Sequence, residues 1–355
     1  VIANSAVVSL VSEYDSFLGC LLRTFLRRCP DLLNASERTL TLRELQGFES
    51  IEAVREFIIN KEVETVIRKS HLEQFEWMEN RFSVKLRVGL DVWPTFVEVT
   101  ERRNLLVHCG GIVSSHYLSA CQEHGVDCAG AGMGTELTVT RAYLVKAYEC
   151  LVEIGLKLAH VLWRKLIPGE RAEADESLNL LCLDLMLENR NALAKSLLDF
   201  ATGVLKKWST EVNRLLFVVN RAQAYKWANE DRICQKILQA EDWSAVDDRL
   251  SLGVAILRDD LEAAVSLMRK IGDGPLVPKD AYKQWPIFKQ FRKTNEFRSA
   301  YKNIFGEEFA DVPEQSTITF KLEWNPPPVD AKAPASNNTS KPKLKNFVSD
   351  GQCEL

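Results

Sequence analysis

At 355 residues and a net charge of −4, the chain is long enough for a sizeable core, and its charge balance excludes a protein that coats nucleic acid along its whole surface. Any RNA contact must come from a local patch. Nine cysteines without regular spacing fit reduced thiols in a cytoplasmic setting, not a disulfide framework.

The opening Val1-Ile2-Ala3-Asn4-Ser5-Ala6-Val7-Val8 lacks a basic n-region and is too short to span a bilayer, and no later stretch reads as a span. From Ser12 to Cys29, Tyr14, Phe17, Leu18, Leu21, Leu22, Phe25 and Leu26 recur at helical spacing, and Pro30-Asp31 closes the element. The basic side chains Arg23, Arg27 and Arg28 read as a solvated face that is also able to help hold RNA. A long apolar run follows from Thr41 to Lys69, with Gly47 its weak point. Ser70 and Glu73 have capping-box spacing and predict a helix through Phe82.

The next helix is predicted from about Val92 to Cys109, with Pro94 in its first turn and Gly110-Gly111 stopping it. At 100° per residue, Phe96, Thr100, Arg103 and Val107 share an arc beside Trp93, continued by Val97, Asn104 and His108. Arg102 points away with Glu98, four residues before it, as a solvated ion pair. A guanidinium on an apolar face needs a partner or a polar cleft. Asn104 and His108 are i, i+4 neighbours, so the amide is placed to orient the imidazole, and a helix C-terminus favours positive charge there. A cation, an amide and an imidazole at one helix end can bind a phosphate and move a proton. The bland alternative is a buried polar network with a surface histidine.

Arg103-Asn104-x-x-x-His108, late in a long helix of an all-helical segment, resembles the R-(N/D/H)-x-x-x-H signature of HEPN domains. The following Cys109-Gly110-Gly111-Ile112-Val113 and Tyr117-Leu118 are similar to what trails that motif in bacterial members. The resemblance covers roughly residues 1–167 and is sharp only over the six motif residues. It implies a helical bundle that homodimerises and, in many members, cleaves RNA without a metal or cofactor. Arg103 and His108 would then be catalytic, with Asn104 beside them. A toxin or phage-defence role is implied by the resemblance alone. Other members are non-catalytic binding modules.

Past the motif, His116, Cys121, His124 and Cys128 are metal-ligand types but lack a paired knuckle, and they read first as soft residues about a helix end, with a zinc site the weaker alternative. Gly130-Ala131-Gly132-Met133-Gly134 has no strand before it and no Gly-Lys-Ser/Thr after it, so it reads as a flexible hinge and not as a phosphate loop. A short helix from Ser114 or Ser115 to Gln122 precedes it, and a long one from about Val139 to Leu166 follows.

The polar stretch from Pro168 to Glu176 is the best boundary. Beyond it, residues 177–310 read as successive helix pairs with short acidic turns: Leu178–Glu188, Asn191–Trp208, Glu211–Asn229, Ile233–Ala240, Val246–Leu257 and Leu261–Ile271. The pattern resembles tetratricopeptide-type hairpins, which implies a concave surface for a protein partner. From Lys279 to Lys302, Lys289, Arg292 and Lys293 are interleaved with aromatics, a mix able to bind single-stranded RNA. Phe288, Phe291, Phe297 and Tyr301 at helical spacing also read as core with lysines on the wet side. Residues 316–324 alternate as a lone strand, and 325–355 have the composition of a disordered tail. The expectation is an all-α chain, with homodimer, RNA and protein partner as the predicted associations and no membrane.

Overall fold

The computed structural model describes residues 2–35, 39–128 and 130–310, and the expected strand and tail lie outside them. The fold is all-α. Its first helix, α1 (Ile2–Arg28), starts earlier than predicted because Val7 and Val11 extend the stripe of Tyr14, Leu18, Leu22, Phe25 and Leu26 by two more turns. Six of these seven side chains are at most 4% exposed, and burial of each such aliphatic or aromatic group contributes about 1.5–3 kcal/mol. By length and apolar composition α1 would also suffice to cross a membrane, which the opening residues alone did not suggest. Its apolar side packs on helices of the bundle described next.

The Thr41–Lys69 run does not form one helix. Thr41 caps the single turn α2 (Leu42–Leu45) through a capping box with Glu44, and Ser50 caps α3 (Ile51–Ile67). Two N-caps nine residues apart favour a break over continuity. The predicted Ser70/Glu73 box is present and opens α4 (His71–Phe82). Then come α5 (Trp93–His108), α6 (Ser115–Glu123) and α7 (Arg141–Leu166), the last two capped by Ser114 and Thr140. Helix α1 packs on α3, α5 and α7, so it is the central rod of this bundle.

The Pro168–Glu176 stretch, expected as a boundary, is helical. One 3-10 turn, Pro168–Glu170, leads directly into α8 (Arg171–Leu187). Two of its four acids are taken up by other elements: Glu170 accepts from Arg28 and from Trp163 Nε1 (2.8 Å), and buried Asp175 pairs with Arg164. Helix α7 thereby packs on both α8 and α9 (Asn191–Asp199), and all described residues belong to one contiguous body. The run predicted through Trp208 ends early, in a π-type turn at Phe200–Val204.

Next come α10 (Glu211–Trp227), α11 (Asp231–Gln239), α12 (Asp248–Leu257) and α13 (Leu261–Ile271). Three hairpins, α8/α9, α10/α11 and α12/α13, share one turn. Asn189, Asn229 and Asp259 each take positive φ (59°, 61° and 59°). The next amide reaches back five residues in each case, Arg190 to Leu185, Glu230 to Tyr225 and Asp260 to Ala255 (2.8, 3.0 and 3.0 Å). Asn and Asp tolerate this left-handed step best after glycine, which explains the recurring polar residue there. Finally α14 (Lys279–Gln284) and α15 (Asn295–Phe305) flank two 3-10 turns around a core that includes Tyr282, Phe288, Phe291, Phe297 and Tyr301.

Candidate functional site

Helix α5 carries the Arg103/Asn104/His108 motif, and its end is fixed by glycine. Gly110 and Gly111 both take positive φ (59° and 84°), and the amides of Cys109 and Gly111 return to Leu105 O (2.8 and 3.0 Å). A side chain at either glycine would be strained, so the helix stops there.

Arg103 is 22% exposed and has a partner inside its own chain. Its Nη2 donates to Asp15 Oδ2 on α1 at 2.9 Å, and its Nη1 donates to Asn104 Oδ1 at 3.2 Å. Its Nε is buried and makes no hydrogen bond among the described residues. Asp15 is shared, because His71 Nε2 lies 2.9 Å from its Oδ1. His71 is buried, its ring 6.2 Å from Tyr14 and 5.7 Å, edge-on, from Phe96. The sequence reading missed both Asp15 and His71. A signal for the histidine was present, since His71, Phe75, Met78 and Phe82 form the buried stripe of α4 at helical spacing.

Asn104 does not orient His108: its carbonyl oxygen accepts from Arg103, and no hydrogen bond joins it to the imidazole among the described residues. His108 is exposed at the last turn, without a hydrogen-bond partner among those residues. Val107, placed on the apolar arc by its angle, is 49% exposed, so that face runs out of the bundle at the last turn. The structure thus brings Arg103 and Asn104 together and leaves His108 apart on the surface.

The Arg102–Glu98 pair forms (2.7 Å), but it is not a solvated surface pair. Both side chains are about one-seventh exposed or less, and Glu98 also accepts from Tyr117 OH and Tyr143 OH, each at 2.8 Å. Burial first, and then the Glu98 charge, push both phenols far above their ordinary range. The Arg102 guanidinium lies 4.0 Å from the centre of the Tyr143 ring and donates to Thr138 O (3.2 Å). Glu98 therefore pins α6 and α7 to the helix that carries the motif.

The Gly130–Gly134 segment, expected as a flexible hinge, is tied down by Gly134 N to Val113 O, Val113 N to Thr135 O and Leu137 N to Gly111 O, all 2.9 Å, beside an antiparallel bridge between Ile112 and Glu136. Among the metal-ligand types, Cys121 is buried with Cys128 packed on it, and burial together with that neighbour pushes the Cys121 thiol up to about 12. His116 is 83% exposed beside Glu101 (3.6 Å), and His124 packs on the Trp93 ring. No three histidine, cysteine or acidic side chains gather into a metal-type cluster among the described residues.

The candidate RNA-contacting cations are mostly engaged. Arg23 donates to Asn60 Oδ1 (3.2 Å), and Arg27 makes a two-pronged pair with Glu56. Lys289 lies over the Trp227 ring (5.5 Å), and Arg292 donates to Trp285 O, burial lowering its pKa to about 10. Lys293 is exposed.

No known protein family, curated protein or solved structure matches this chain.

Proposed function

We propose that this chain is a metal-independent, cytoplasmic endoribonuclease that acts as a homodimer, with Arg103 and His108 of two α5 helices forming one composite site. The observation that supports this reading is the asymmetry of the α5 end. Asp15 and Asn104 hold the Arg103 guanidinium in one orientation, while His108 stands exposed and unpartnered among the described residues at a helix C-terminus. A held guanidinium loses little further freedom when it meets a phosphate, and each Nη keeps a second N–H for it.

In the proposed reaction, a neutral His108 takes the proton of a ribose 2′-hydroxyl as that oxygen attacks the adjacent phosphorus. The bond from phosphorus to the 5′-oxygen breaks, and a second imidazole returns a proton to the leaving oxygen. Arg103 stabilises the added negative charge at phosphorus. The products are a 2′,3′-cyclic phosphate and a 5′-hydroxyl. Asn104 serves here as a positioning residue for Arg103, a role different from the one its spacing suggested. Service as a toxin or phage-defence effector is the biological setting this proposal adopts.

The test is cleavage of RNA with a chelator present. The wild type is expected to cut, and Arg103→Ala and His108→Ala are each expected to lose about a hundredfold or more. His108→Ala removes an exposed side chain, so its loss of activity would not reflect unfolding. No cleavage by the wild type, or full activity in both variants, overturns the reading.

One observation favours a second reading, a non-catalytic dimeric scaffold that binds a partner protein through its hairpins. The Asp15–Arg103 pair gives Arg103 a structural task within one chain. That reading predicts that Arg103→Ala lowers the melting temperature while the wild type never cuts RNA.

A further inference from the structure

Where the α4–α5 connector meets α7, α9 and α10, the chain forms an open cleft of about 400 Å³. Its volume falls within the range of about 300–1,000 Å³ typical of small-molecule sites. The chemistry of its wall is divided. Phe75, Leu158 and Phe200 supply buried apolar and aromatic surface, and Tyr225 adds a third ring. Val88 (71% exposed) and Val204 (45% exposed) stand on the same lining, open to solvent.

Set against this surface are ammonium groups. Lys157 is 8% exposed, a charge held almost wholly inside the protein. Its Nζ donates to Glu153 Oε1 (2.5 Å) and Ser196 Oγ (3.0 Å), which leaves a third N–H. Lys195 pairs with Glu230 and lies over the Tyr225 ring (5.1 Å), so it too keeps donors in hand. Lys85 is a third lysine of the lining, beside Asp91 and Asp199 on the lining and the Glu153 and Glu230 carboxylates that already pair with Lys157 and Lys195. Asp199 is already committed to Arg221 Nε (2.6 Å) and Tyr225 OH (2.8 Å), so little of its charge remains to repel an anion.

We propose that this cleft binds a nucleoside monophosphate: the phosphate is taken by Lys157 and Lys195, and the base lies against the aromatic wall. The volume suits one nucleotide. The site is separate from Arg103 and His108, and its ligand is read without any cleavage assay, so this proposal and the nuclease reading fail independently.

The experiment is isothermal titration of the full chain with AMP, GMP, CMP and UMP, with adenosine and inorganic phosphate as partial ligands. At least one monophosphate is expected to bind saturably, about tenfold or more tighter than either partial ligand, and to raise the melting temperature. Lys195→Ala should weaken binding by about tenfold. Because Lys157 is buried and its replacement risks misfolding, the second variant is Ala192→Trp, which fills the cleft from an exposed position on the lining. It should keep the unliganded melting temperature and lose binding. The proposal is overturned if no monophosphate binds saturably, if phosphate or adenosine alone binds as well, or if binding survives Ala192→Trp.

Discussion

Asp15 and Arg103 stand 88 positions apart in the chain and meet at 2.9 Å, joining the central rod α1 to the motif helix α5. The same carboxylate holds buried His71 from α4. Both partners are less than a quarter exposed, so solvent does little to replace a lost contact. Asp15→Ala should therefore destabilise the fold by about 2–3 kcal/mol in urea denaturation. Adding Arg103→Ala should recover part of that loss, because the uncompensated guanidinium is then gone. Strict additivity of the two changes would show that the pair is not coupled.

Glu98 is the second joint. With Arg102, Tyr117 and Tyr143 all donating to it, Glu98→Ala strands two phenols and leaves a largely buried guanidinium with Thr138 O in place of a carboxylate. The expected cost is about 3–5 kcal/mol, measured by chemical denaturation. Amide exchange should rise first in α6 and the 111–137 segment, and uniform exchange across the bundle would contradict this role.

His160 makes stability depend on pH. Burial first, and then the Arg164 charge, lower its pKa to about 3, against an unfolded value of about 6.5. Between those values the unfolded chain binds a proton that the folded chain refuses, so stability is full above about pH 6.5 and falls as the pH drops toward 3. The single-group slope approaches about 1.4 kcal/mol per pH unit. Denaturation between pH 7 and 5 should show the decline, and His160→Phe should flatten it. An unchanged slope in that variant would assign the decline to other groups.

The repeated hairpin turn gives a backbone prediction. Asn229 has φ 61°, so Asn229→Gly should leave stability unchanged or slightly higher. Asn229→Ala should cost about 1 kcal/mol. Thermal melts of the two variants would separate this strain from any loss of side-chain contact.

What the sequence made legible was local. The Ser70/Glu73 box, the Gly110-Gly111 stop and the bounds Leu261–Ile271 depend on residues a few positions apart, and the structure has them. The aromatic set Phe288, Phe291, Phe297 and Tyr301 is core, as its spacing said. Reading failed where one residue answers another far away. The polar stretch 168–176 looked like a boundary because Arg28, a partner of Glu170, lies 142 residues away. Glu98 looked solvated because Tyr143, 45 residues on, was not yet over it. Arg103 was recognised as needing a partner, but angle and spacing on α5 could not say that Asp15 supplies it. Val107 shows the converse: its angle was right, and the bundle ends before it.

The claim that α5 carries a ribonuclease centre is tested most directly by offering the chain unmodified RNA and the same RNA with every 2′-hydroxyl methylated, both with a chelator present. The account predicts fragments ending in 2′,3′-cyclic phosphate from the first and none from the second, with cutting abolished by His108→Ala. Equal cutting of both substrates, or intact RNA in both, would contradict it.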